Sequence, residues 1–217
     1  MKTSRIIIVA FLTCIVAGML ALFATTKNHE KNSEKKVYNK EFVLPAFSVV
    51  VAEEGADLHI NQSDSTIMTI EYIKDKKIPS KIYEVVNDTL HVYSGLRTFV
   101  KCKKINNIVV QKAFWVGVYK FTPDSLTIKA SGGQLYYNNF GIEEKSFNIG
   151  IVARDSAYVE VRNANGNNIS VKSDNANVRL QCKVKALSAK LINKASLNSN
   201  MPEIIKIERD STSSVEI

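Results

Sequence analysis

The side chains able to do chemistry are few in this sequence, and most stand apart from one another. His29, His59 and His91 are the only histidines, and the last two each lie between two aliphatic residues, Leu58 with Ile60 and Leu90 with Val92. That alternation sets a histidine on the outward side of a strand, and isolated outward histidines do not supply the clustered donors a metal needs. No metal and no cofactor is expected. Ser131-Gly132-Gly133 lacks the flanking pattern of a nucleophile elbow or a phosphate-cradling loop, and no H-E-x-x-H occurs. Glu143 and Glu144 are adjacent in one loop, whereas acid–base catalysis needs two carboxylates held across a cleft. No catalytic residue emerges.

Aromatic residues offer a different chemistry, stacking on a sugar ring. The stretch "KAFWVGVYKF" carries Trp115, the only tryptophan, among Phe114, Tyr119 and Phe121. Alternation through Phe114, Val116 and Val118 turns those three inward and leaves Trp115 on the other face. With Tyr136 and Tyr158, Trp115 makes up the candidate glycan-stacking set. Whether residues so far apart in sequence meet depends on the elements that carry them.

Those elements are strands. After Phe42 the apolar period is two: Phe47, Val49 and Val51 alternate with Ser48 and Val50, Leu58 and Ile60 with His59, Leu90 and Val92 with His91. "KIYEVVNDTLHVYSG" reads as a hairpin turning at Asn87-Asp88-Thr89. Pro45, Pro79, Pro123 and Pro202 fall where strands begin or turns sit, as the missing N–H requires. No window of a dozen residues has a convincing helical face.

The C-terminal half repeats. Aligned on Leu135, Val159, Val178, Leu197 and Val215, the copies have a small residue two positions earlier, Gly133, Ala157, Ala176, Ala195 and Ser213. Four positions earlier stand the turn-formers Ser131, Asp155, Asp174, Asn193 and Ser211, and the flanking columns are almost wholly polar. A repeat of about 19 residues with alternating inside and outside positions and a small residue at one corner predicts a β-solenoid. Neighbouring coils lie about 4.8 Å apart, so a bulky corner residue would collide with its copies above and below. Glu160 and Arg179 become ladder neighbours, an exposed pair worth about 0.5 kcal/mol. The first strand of each coil holds Leu126 and Ile128, Ile149 and Ile151, Ile169 and Val171, Leu187 and Ala189, Ile205 and Ile207, with a spacing to the corner that differs by one residue between copies. Glu54, Ala56, Leu58 and Ile60 form a fainter early copy. Cys102 and Cys182 are free to pair outside the cytoplasm. Cys182, however, continues the inward column Val178, Leu180, Cys182, Val184, where a free cysteine acts as a small apolar residue.

Upstream, Lys2 and Arg5 precede an uncharged, mostly apolar run from Ile6 to Ala24, about 28 Å long as a helix and so long enough for a bilayer core. Leu22-Phe23-Ala24 is a poor cleavage site, so residues 1–26 are expected to be an uncleaved signal anchor in preference to a signal peptide, with Cys14 inside the membrane segment. Residues 27–41 are polar and charged and read as a linker to a folded domain, residues 42–217. The net charge is +8, but residues 1–36 hold six Lys/Arg against two Asp/Glu, leaving 23 against 19 elsewhere. A residual +4 without a basic stripe argues against a nucleic-acid partner.

The segments "FSVVVAEEGADLHI", "NDTLHVY", "LTIKASGGQLYY", "ISVKSDNANVRL" and "LSAKLINKASLNS" resemble the auto-transporter adhesin head, or GIN, domain, a family typical of Bacteroidetes and formerly a domain of unknown function. The resemblance covers Phe42 to Ile217, with the family's Ser-Gly kept only at Ser131-Gly132. It implies a right-handed parallel β-helix and an exported location. The expected function is therefore a non-catalytic, membrane-anchored adhesin or scaffold of the cell envelope, with the membrane and glycan or other envelope components as partners. The alternative is a polysaccharide-active enzyme of the pectate-lyase type, which would need clustered carboxylates for calcium beside a basic residue. The outward columns offer only Glu160 with Arg179, and Glu216.

Overall fold

The structure, a computed structural model, describes residues 15–19, 37–73, 78–93, 95–141 and 145–217. Contacts divide the chain into two units, Met1–Tyr38 with Ile73–Asp75, and Asn39–Tyr72 with Lys76–Ile217. Residues 15–19 are helical, and among the described residues no helix is long and apolar enough to cross a membrane. Most of the apolar N-terminal run, with Cys14, His29, Glu143 and Glu144, lies outside the described residues.

The alternating segments from Val37 onward become strands, as their β-branched and aromatic content favours. In chain order these are β1 (Val37–Val43), β2 (Val49–Ala52), β3 (Asp57–Gln62), β4 (Ile67–Ile73), β5 (Tyr83–Val86), β6 (Thr89–Val92), β7 (Arg97–Cys102), β8 (Asn107–Gln111) and β9 (Trp115–Tyr119). There follow β10 (Ser125–Ser131), β11 (Gln134–Asn138), β12 (Ser146–Arg154), β13 (Tyr158–Asp174), β14 (Asn177–Ile192), β15 (Ser196–Ser199), β16 (Ile204–Arg209) and β17 (Ser214–Glu216). All four prolines lie between strands.

Parallel pairing assembles them into two long ladders. The first runs β6, β2, β8, β10, β12, the second half of β13, the second half of β14, then β16. The second runs β7, β3, β9, β11, the first half of β13, the first half of β14, β15, then β17. The result is an all-β parallel β-helix. Leu135, Val159, Val178, Leu197 and Val215 are direct register partners along the second ladder, and Val116, Leu58 and Thr98 continue the same column. Leu90, Val50, Ile108, Ile128, Ile151, Val171, Ala189 and Ile207 form the facing column of the first. Except for the partly buried Ile207 and Val215 at one end, both columns are buried and fill the interior.

The corner between the ladders behaves as the small column demands. The carbonyls of Gly133, Ala157, Ala176 and Ala195 each accept from the backbone N–H that follows the small position of the next coil, at Tyr158, Asn177, Ser196 and Ser214, and the Ala56 carbonyl accepts from the Trp115 N–H, which follows Phe114. Asp155 with Ser156, and Asn193 with Lys194, take left-handed backbone angles, whereas the corner at Asn175 takes one. At Gly133, with φ near +75°, a Cβ would lie 2.3 Å from the carbonyl oxygen of Ala113, so only glycine fits.

Chain order and spatial order diverge in the N-terminal half. The chain first lays down β2 and β3, returns through β4 and the hairpin β5–β6, and then places β6 and β7 on one side of β2 and β3 and β8 and β9 on the other. Asn87 and Asp88 both have positive φ, the two-residue turn that suits a tight hairpin. β4 and β5 add antiparallel to β7 and β6 and cover the edges of that end.

Two expectations need correction. In β2 the inward residues are Val50 and Ala52, not Phe47, Val49 and Val51 as a set; the pairing of Val50 with both Leu90 and Ile108 fixes the parity. Phe114 is 70% exposed, because the corner of its coil takes the smaller Ala113 and turns Phe114 outward before the inward column resumes at Val116. Cys102 and Cys182 are free and buried, and burial pushes both thiols up to about 12. They stand five ladder steps apart in the second ladder, about 24 Å, which no disulfide spans.

Candidate functional site

The outward positions of the second ladder gather the rings that the sequence scatters. Trp115 stacks on Tyr136 with ring centres 4.0 Å apart and planes 17° from parallel, and Tyr136 lies 5.5 Å from Tyr158 at 43°. The three candidate glycan-stacking residues therefore form one cluster, carried by β9, β11 and β13. Each is half-buried, so part of each ring remains open to solvent.

The aromatic band extends further than these three. His59 on β3 stacks with Phe99 on β7 at 5.0 Å and faces Tyr119 on β9 at 6.1 Å. Gly117 explains how Tyr119 joins it: a Cβ there would lie 2.4 Å from the Tyr119 hydroxyl and 2.6 Å from its ring, so the bare glycine lets the phenol lie across the strand. Phe99 could not be placed beside His59 from the sequence, because β7 follows β3 by an inserted hairpin. The Gly117-x-Tyr119 spacing was the available signal for Tyr119, since a strand glycine often marks a close approach.

At the far end of the band lies Glu160, only 1% exposed although it sits in an outward column. Arg162 Nε stands 2.8 Å from Glu160 Oε1 and Arg179 Nε 3.8 Å from the same oxygen, while the Tyr158 hydroxyl donates to Oε2 at 3.2 Å. The Arg162 contact is an ion pair that departs from hydrogen-bond geometry. Glu160 and Arg179 are ladder neighbours as the repeat predicts, but the pair is not the exposed one expected. Tyr136 and Arg179 flank Glu160 as its ladder partners, and Tyr158 and Arg162 reach it from its own strand. Burial, and then the Glu160 charge, raises the Tyr136 and Tyr158 hydroxyls above the usual phenol range, so both are donors at neutral pH.

A shallow cleft of about 220 Å³ opens between these groups, lined by Trp115, Tyr119, Tyr136, Asn138, Glu160 and Arg162. Beside it the Trp115 indole N–H is buried without a hydrogen-bond partner. His59 and His91 point outward, held by Asp57 at 3.2 Å and Glu53 at 3.1 Å. Among the described residues no three His, Cys, Asp or Glu converge as metal ligands. The arrangement offers flat rings, donors and a fixed charged cluster, which suits recognition.

No family model matches the chain, and no curated protein matches it. Solved structures do resemble it. A protein of Bacteroides fragilis described as a "putative adhesin" is 12% identical with a TM-score of 0.59, over 84% of this chain and 97% of that one. A "putative adhesin" of Parabacteroides distasonis is also 12% identical, with a TM-score of 0.57 over 85% and 98%. At this identity the likeness is one of fold.

Proposed function

We propose that this protein is a non-catalytic binding protein of the cell envelope, a GIN-like adhesin exported and held to the membrane by its N-terminal segment, that recognises glycan through Trp115, Tyr136 and Tyr158. The observation that carries the reading is the contact among those three rings beside an open cleft on a rigid ladder. Aromatic side chains with a polar edge bind well where one side is apolar and the other wet. The Tyr136 and Tyr158 hydroxyls, which donate within the protein to Gln134 Oε1 and Glu160 Oε2, keep lone pairs that can accept from a hydroxyl-rich ligand. The cleft is shallow, so each contact is weak, and strength comes from many copies acting together at a surface. The adhesin-like names of proteins with the same fold agree with this reading.

A glycan array probed with the full chain tests it. Binding to a saccharide class, lost on Trp115→Ala, is the expected outcome. Calcium-dependent release of unsaturated products from an acidic polysaccharide would instead make the protein a lyase.

A further inference from the structure

We infer that the glycan is acidic, and that Arg162 and Arg179 select it by receiving a uronate carboxylate at the end of the aromatic band. This rests on the glycan reading above and adds the class of sugar. A carboxylate 1% exposed in an outward column, as Glu160 is, is costly unless it is paired, and here two arginines converge on one of its oxygens. Both approach through Nε, and both side chains remain nearly half exposed, 46% for Arg162 and 44% for Arg179. Glu160 thus draws two guanidinium groups to one oxygen, Arg162 closely and Arg179 more loosely, without covering them.

The charge does not balance. Two arginines against one carboxylate leave one excess positive charge, fixed beside the Tyr136 and Tyr158 rings. A guanidinium is planar, carries its donors as a fork and matches a carboxylate in a bidentate manner, which an ammonium does not. A pyranose resting along the solvent-exposed edges of Tyr136 and Tyr158, whose faces turn toward neighbouring rings, brings its ring carboxylate toward Arg162 and Arg179, which are ladder neighbours of Asn138 and Glu160. Prior anchoring by Glu160 removes part of the ordering cost of two long side chains.

The test is the affinity of the full chain, in mild detergent, for oligogalacturonate and oligomannuronate hexasaccharides, each beside its fully methyl-esterified form. At least tenfold tighter binding of an acid than of its ester, weakening with salt, is expected. Arg162→Gln/Arg179→Gln leaves Glu160 buried with the Tyr158 hydroxyl but no cation beside it and risks misfolding. The triple variant Glu160→Gln/Arg162→Gln/Arg179→Gln removes the whole charged cluster, and it should bind acid and ester alike. Arg162→Lys/Arg179→Lys keeps the charge and should retain only part of the preference. Equal affinity of the unaltered chain for acid and ester overturns the selectivity while leaving the aromatic site standing, as does a preference that survives in the folded triple variant. Binding of neither form, with no other saccharide bound on the array, sinks the glycan reading and this inference with it.

Discussion

The two ladders of the solenoid are built from the same inward chemistry and differ only outside. Inside, both present columns of Val, Ile and Leu in direct register. Outside, the first ladder shows Val109, Lys129, Val152, Lys172, Lys190 and Glu208 in succession, while the second shows the aromatic band and the Glu160 cluster. Lys172 and Lys190 even stand as direct partners, a mildly unfavourable like-charge pair. Inward positions decide the fold, and outward positions are free to specialise face by face. A solenoid separates these tasks because each coil needs only its neighbours to bury its core.

If the division holds, changes at the corner and core should cost stability, and changes on the outer faces should not. Gly133→Ala tests it hardest, since the new Cβ meets the Ala113 carbonyl and a left-handed backbone at once. A loss of roughly 2 to 4 kcal/mol in chemical unfolding is expected. Next comes Ala176→Leu in the same column, with about 1 to 3 kcal/mol, against less than about 0.5 kcal/mol for Asn177→Leu on the outer side. Equal shifts in Tm for that pair would mean that the corner assignment is wrong.

A smaller effect belongs to pH. Asp210 accepts from the Ser213 hydroxyl at 2.7 Å and the Asn193 backbone N–H at 2.7 Å, and these bonds hold its carboxyl down at about 2. A depressed carboxylate stabilises the fold fully above its unfolded value, near 3.9, and the contribution is lost as pH falls through about 2. Protection of the Asn193, Thr212 and Ser213 amides, measured against their intrinsic exchange rates, should therefore fall over that window, and Asp210→Asn should flatten the dependence. On the outer face of the first ladder, Lys172→Ala should leave both Tm and glycan binding within error.

The C-terminal coils were legible because each follows its spatial neighbour in sequence, so Leu135, Val159, Val178, Leu197 and Val215 could be aligned by spacing alone. The N-terminal half was not, since β2 and β3 lie between coils that both come later in the chain, and only Ala56, Leu58 and Ile60 kept the pattern. Of the site, Trp115, Tyr136 and Tyr158 could be found by their outward columns. His59 could be placed outward too, but its contacts with Phe99 and Tyr119 could not be foreseen, because they depend on the crossed order and on the bare backbone of Gly117. Glu160 was visible as a ladder partner of Arg179. Its burial was not, since alternation places position 160 outward and does not show that Tyr158 and Arg162 of the same strand turn toward it.

The central claim, that recognition takes place on the aromatic face of the second ladder, has a built-in reporter, because Trp115 is the only tryptophan. Titrating the full chain with a saccharide it binds, while following tryptophan emission and bound ligand together, tests the claim directly. Emission should shift and saturate with the same midpoint as binding, and Trp115→Ala should weaken binding at least tenfold while Lys172→Ala leaves it unchanged. Saturable binding with unaltered emission, kept in full by Trp115→Ala, would contradict it.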